Sequence, residues 1–162
     1  MLYFDIKNSY VWDMKAVLLS FIDFLENHNV FKFDVNEFDS RLRLQKYVFL
    51  ARFYGLDMKY SFSLYIHGPY SPDLARDYYN LDNVSLEPLP ESFRGIEFLE
   101  LVKDKDEKWL EVAATIMSVY EYNKHISREK LIEIVNEIKP SFIKEDIEKI
   151  IEDLEKARLL DF

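Results

Sequence analysis

Apolar residues recur at helical spacing along most of this chain, and in one stretch the period falls to two. After Asn8-Ser9, the positions Met14, Val17, Leu18, Phe21, Phe24 and Leu25 predict a helix over about 9–27, closed by Asn27-His28-Asn29. Before it, residues 1–6 alternate loosely, as a short strand would. Asp34-Val35-Asn36-Glu37 has an acidic cap with a glutamate three residues on, the start of a brief helical turn. From Ser40 to Tyr54, Leu42, Leu44, Tyr47, Val48, Phe49, Leu50 and Phe53 make a second helix apolar nearly all round, which places it in the middle of a core. Gly55 is its expected stop.

Beyond Gly55, Tyr60, Phe62, Leu64 and Ile66 alternate with Ser61, Ser63 and Tyr65, which predicts a strand. His67-Gly68-Pro69-Tyr70 reads as a turn, because glycine tolerates positive φ and proline fixes its own φ and restricts its predecessor. Ser71-Pro72-Asp73 then supplies an N-cap, a first-turn proline and a first-turn acid for a helix to about Leu81. Residues 82–90, with Pro88, Pro90 and Asn83, form a loop. Helices are expected over about 91–102, then around Trp109, Val112, Ala113, Ile116, Val119 and Tyr120. A further helix is capped by Ser127, carries Leu131, Ile134, Val135 and Ile138, and stops at Pro140. The last has Ile147, Ile150, Ile151 and Leu154 on one face.

The expected fold is mainly α: a helical bundle with one short strand or hairpin, in a single domain over 1–162 with possible subunits 1–81 and 91–162 joined by loop 82–90. The final three helices follow the order of a winged-helix unit. In the recognition position, however, Glu145, Asp146, Glu148, Glu152, Asp153 and Glu155 outnumber Lys144, Lys149 and Lys156. With 21 basic against 30 acidic residues and a net charge of -9, this argues against a nucleic-acid partner.

Composition narrows the chemistry. At 49% hydrophobic and 31% charged, the chain has the make-up of an ordinary folded protein and not of a disordered one. The absence of cysteine excludes disulfides, thiol catalysis and cysteine zinc sites, and fits a reducing cytoplasm. The N-terminus lacks the pattern of a secretory signal, and no apolar run approaches the roughly 18 residues of a membrane span. His28, His67 and His125 have no metal-ligand spacing, and the three glycines are too far apart for a phosphate loop, so neither metal nor cofactor is expected.

Two groups of residues remain as candidates. Arg41, Arg43, Lys46 and Arg52 form the one locally basic stretch, but at about 100° per residue they split between two sides of the helix. They are expected to flank buried surface or to pair with carboxylates such as Asp39 and Asp57, with a docking site for an acidic segment as the alternative. Around the turn, Tyr65, His67 and Tyr70 offer aromatic and polar contact of the kind that anchors protein interfaces. His67 would serve as a general base if Asp73 or Asp77 approached it, although no nucleophile elbow lies near.

The segment Arg43-Leu44-Gln45-Lys46-Tyr47-Val48-Phe49-Leu50, followed by Tyr65-Ile66-His67-Gly68-Pro69-Tyr70-Ser71-Pro72-Asp73-Leu74, resembles the paired signature of the YwgA-like bacterial and archaeal proteins. More distantly it is similar to SocA-like antitoxin domains, also called Panacea domains, which share a Leu-Gln-Lys helix and a later Gly-Pro turn. The likeness is strongest over about residues 40–81. The SocA-like pattern commonly has Val where this chain has Tyr70-Ser71, so the YwgA-like group is the nearer. The resemblance implies a mostly helical intracellular protein, and for SocA-like members a domain that binds and neutralises partner proteins. It carries over no catalytic residue.

The reading is therefore a non-enzymatic cytoplasmic protein-interaction or regulatory module with a protein partner and an expected homodimer. A winged-helix-like DNA-binding regulator ranks second and a small hydrolase third. The candidate contact surface is Tyr65, His67, Tyr70, Arg43 and Lys46, with Gly68, Pro69, Ser71 and Pro72 as the structural turn.

Overall fold

Residues 13–162 are described by a computed structural model, and the expected strand over 1–6 and helix start over 9–12 lie outside the described residues. Seven α-helices and one hairpin follow: α1 Met14–Asn27, α2 Phe38–Ala51, β1 Ser63–Tyr65, β2 Gly68–Tyr70, α3 Pro72–Tyr78, α4 Gly95–Val102, α5 Glu107–Tyr122, α6 Arg128–Ile138 and α7 Lys144–Lys156. The mainly helical architecture with a short β element is as the periodicity implied.

Helix α2 is the central strut, as its all-round apolar wheel required. It packs against α5, β2 and α3, and Leu44, Tyr47, Val48, Phe49, Leu50 and Ala51 are all buried. A 3-10 turn, Arg52–Tyr54, extends it to Gly55, whose left-handed φ of 85° ends it. A Cβ at Gly55 would lie 2.0 Å from the Ser92 carbonyl oxygen, so this position also lets the loop before α4 close onto the helix end. Ser92 Oγ and the Arg94 backbone N–H complete the join by donating to Gly55 O at 2.7 Å and Tyr54 O at 2.8 Å.

Helices α5, α6 and α7 pack on one another in the expected three-helix order. Leu110, Ala113, Ile116, Leu131, Val135, Ile147, Ile151 and Leu154 are fully buried between them. Three carboxylates of the acidic α7 region meet specific donors instead of facing solvent alone: Asp146 on Lys108 at 2.7 Å, Asp153 on Trp109 Nε1 at 2.8 Å and Glu155 on Arg128 at 3.3 Å. The Lys108 bond holds Asp146 below the usual carboxylate range. Because α2 and β2 both pack on α5, the segments before and after loop 82–90 share a continuous apolar core.

Several boundaries differ from the periodicity. Helix α2 begins at Phe38 instead of Ser40, and Asp34 opens a single turn before it: Glu37 N donates to Asp34 O at 3.1 Å, the Asp34 carboxylate accepts from Asn36 N, and its own N–H donates to Ser40 Oγ at 2.8 Å. Helix α3 ends at Tyr78 rather than Leu81, and α4 starts at Gly95 rather than near 91. The strand expected over Tyr60–Ile66 shortens to Ser63–Tyr65, the length of the partner strand it pairs with, and Tyr60 ahead of it donates to Asp77 Oδ2 at 2.7 Å. Gly68–Tyr70, expected as the turn, is instead the second strand: Ser63 pairs with Tyr70, Leu64 with Pro69 and Tyr65 with Gly68, leaving Ile66-His67 as the loop. Proline fits here because its missing N–H is no loss at a position of the ladder that does not require a donor.

Candidate functional site

The Leu-Gln-Lys segment and the Gly-Pro segment are bonded to each other. Gln45 is fully buried on α2, and its side-chain amide clasps the backbone of Ser71 in both directions. Nε2 donates to Ser71 O and Ser71 N donates to Oε1, each at 2.9 Å. One residue on, Lys46 Nζ donates to Pro69 O at 2.7 Å. Ser71 in turn accepts from Leu74 N through Oγ, so the corner that α2 holds is also the N-cap of α3. These bonds satisfy backbone groups that a buried strand-to-helix corner would otherwise leave unpaired.

Gly68 is the point of closest approach. Its φ is 91°, and a Cβ there would meet Thr115 Oγ1 at 3.1 Å, Glu111 O at 3.4 Å and Lys46 Cε at 3.4 Å. Glycine thus lets β2 lie directly on α5. Thr115 Oγ1 is held by donating to Glu111 O at 2.8 Å.

Glu111, on α5, is the centre of the polar cluster. Its Oε1 accepts from Lys139 Nζ at 3.0 Å and stands 3.3 Å from His67 Nδ1. Lys46 lies in its field. Two buried amines, on Lys46 and Lys139, therefore share one carboxylate. Burial pulls the Lys46 amine down from the usual 10.5 to about 8; Glu111 opposes that fall and Lys139 adds to it.

Two cavities open on either side of this cluster. Phe38, Leu42, Lys46 and His67 line both, so they form the wall between them. The first, about 360 Å³, is completed by charged groups: Asp39, Arg43, Glu107, Lys108 and Glu111, together with Leu110 and Phe142. The second, about 380 Å³, is completed by Tyr65, Ile66, Gly68, Tyr70 and Pro72, and no carboxylate among the described residues lines it. Phe38, Leu42 and Lys46 recur every fourth residue and so form one stripe along α2. The Phe38 ring meets the His67 ring edge to face at 5.9 Å.

Around the apolar cavity the surface is unusually greasy. Ile66 at the hairpin tip is 81% exposed, Phe38 56%, Tyr65 54% and Leu64 37%. The Tyr65 and Tyr70 rings meet edge to face at 5.7 Å, across the hairpin.

The expected site residues fall into distinct settings. Tyr65 and His67 are exposed and Tyr70 is half-buried beside them. Lys46 is buried and contributes to the cavity wall, and neither Asp39 nor Asp57 is its partner. Arg43 donates to Tyr47 OH at 2.6 Å and lies over the Phe31 ring at 5.0 Å, while its Nε is buried without a partner among the described residues. Of the other two cations, Arg52 pairs with Glu121 at 3.0 Å and Arg41 donates to Val35 O at 2.8 Å. The carboxylate beside His67 is Glu111, whereas Asp73 is taken by Arg76 and Asp77 by Tyr60. Phe38, Glu111 and Lys139 were not legible as site residues. They come from elements far apart in the chain, and in its own segment each reads as an ordinary apolar or charged surface position.

Among the described residues no group of His, Asp or Glu is placed to hold a metal ion, and no helix is long and apolar enough to cross a membrane. No family model, curated protein or solved structure matches the chain.

Proposed function

We propose that the chain is a non-enzymatic protein-interaction module of the YwgA-like kind, working in the cytoplasm, whose docking face is the hairpin and the apolar cavity under it. The carrying observation is the continuous apolar surface of Phe38, Leu64, Tyr65 and Ile66 around a cavity lined by Leu42, Tyr70 and Pro72. Exposed clusters of this kind, rimmed by polar groups, mark sites where proteins dock. A rigid base supports it: Gln45 and Lys46 fasten the corner from inside, so the surface is held in shape before a partner arrives. The resemblance to YwgA-like and SocA-like proteins supports the same reading, since the two matching motifs are the two halves of this fastening.

His67 and Glu111 are adjacent, but the nearby Thr115 hydroxyl donates to the Glu111 backbone carbonyl at 2.8 Å, and among the described residues no hydrogen bond joins it to His67, which favours binding over hydrolysis. On α7 the exposed acids Glu145, Glu148 and Glu152 oppose DNA phosphates. Random duplex DNA at low salt is therefore expected to bind weakly, and sub-micromolar binding with a steep salt slope would reverse the ranking.

The test of docking is capture from native lysate with wild-type protein and with Ile66→Asp, read by quantitative mass spectrometry. A partner held by the wild type and lost by the variant is the expected result. A partner held equally by both places docking elsewhere.

A further inference from the structure

We infer, on the reading that the hairpin docks a protein, that the apolar cavity takes the C-terminal residue of the partner, its side chain against Phe38, Leu42, Tyr65 and Tyr70 and its α-carboxylate on the Lys46 ammonium. Lys46 is 3% exposed and Lys139 9%, yet among the described residues Glu111 is the one carboxylate bonded within this cluster. The buried cluster thus lacks one negative charge, and buried charges are costly unless paired.

Donor capacity points the same way. An ammonium has three N–H donors, and among the described residues Lys46 Nζ has one hydrogen-bond partner, Pro69 O. Lys46 lines the cavity that contains no carboxylate, so an incoming one meets no like charge there. The remaining lining is aromatic and aliphatic, which calls for an apolar group on the same ligand.

Size selects a chain end. At about 380 Å³ the cavity lies near the small end of ligand pockets, roughly 300–1,000 Å³. In a C-terminal residue the carboxylate and the side chain hang from one Cα, so both enter a single small cavity together. An internal acid would need a second residue to supply the apolar group. Capture of a terminal carboxylate is an established mode of peptide recognition.

The charged groups around Lys46 are Glu111 from α5, Lys139 after α6, His67 of the hairpin and Arg43 on its own helix, with Asp39, Glu107 and Lys108 farther along the adjoining cavity. A bound carboxylate stabilises the charged amine, so binding is accompanied by proton uptake on Lys46 and weakens as pH rises through about 8.

The experiment uses the full chain and fluorescein-labelled hexapeptides that differ in their last residue, each as free acid and as C-terminal amide, read by anisotropy. Acids ending in Leu, Ile, Met or Phe are expected to bind, and amidation to weaken them at least about tenfold. Lys46→Met is expected to erase the difference between acid and amide. Should that variant fold poorly, a wild-type series from about pH 7 to about pH 9.5 reads the same charge, with acid binding falling and amide binding flat. Equal binding of acid and amide, indifference to the last side chain, or no binding up to about 1 mM overturns the proposal. If peptides fail while Ile66→Asp still loses the lysate partner, the terminal-residue proposal falls and the docking surface stands. If Ile66→Asp keeps the partner, the docking surface itself falls.

Discussion

In α5, α6 and α7, Ile116, Leu131, Val135, Ile147, Ile151 and Leu154 are buried on one another, and the polar contacts lie at the margins. At the hairpin corner the order is reversed: Gln45 and Lys46 are buried, and Tyr65, Ile66 and Phe38 face outward. A core of aliphatic side chains is tolerant, because any group of similar size and shape substitutes for another. A corner held by a side-chain amide and an ammonium is not, since each bond serves a particular backbone atom and its loss leaves that atom unpaired. The helical unit thus supplies stability, and the corner spends part of it on a fixed geometry.

The largest effect should come from the aliphatic side of this contrast. Ile151→Ala is expected to cost about 2–5 kcal/mol in denaturant unfolding, with the docking face unchanged in whatever fraction stays folded. Gln45→Leu comes next. It conserves apolar volume but strands the N–H and C=O of Ser71, for an expected loss of about 2–4 kcal/mol. A Gln45→Leu variant as stable as wild type would show that the corner is held by packing and not by the amide.

A smaller, pH-dependent effect isolates Lys46. Its folded pKa of about 8 lies below the unfolded 10.5, so between these values the unfolded chain binds more protons and stability rises with pH. From pH 8 to pH 10 the gain is about 2 kcal/mol, and Lys46→Met should flatten it. Above pH 10 the sign reverses, because burial raises the hydroxyls of Tyr54, to about 12, and of Tyr60 and Tyr78, and the unfolded chain then releases its phenolic protons first. Chemical unfolding at several pH values reads both limbs. A wild-type profile that falls from pH 8 would contradict the setting given to Lys46.

Local rules made the helical part legible. Ser127 caps where the sequence places a cap, and the α7 stripe faces inward as its spacing implies, while on α6 Leu131 and Val135 are buried but Ile138, expected inside with them, is exposed at the helix end. Gly55 ends its helix in the left-handed conformation for the reason glycine is used there. The corner was legible only in pieces. Gly68 and Pro69 announced an irregular backbone, but whether that meant a turn or a strand depended on α5, which Gly68 touches and no local pattern reveals. Lys46 read as a flanking cation because an isolated helix gives no reason for a lysine to be buried; Pro69 O and Glu111 supply that reason from other parts of the chain. Glu111 itself sat unmarked among thirty acids.

A hairpin face made for contact and not for stability is tested most directly at Ile66. At 81% exposed it touches little of the core, so Ile66→Asp should unfold within about 0.5 kcal/mol of wild type. Unfolding and partner capture measured together on this one variant decide the matter: unchanged stability with the partner lost is the predicted result, and unchanged stability with the partner retained contradicts it.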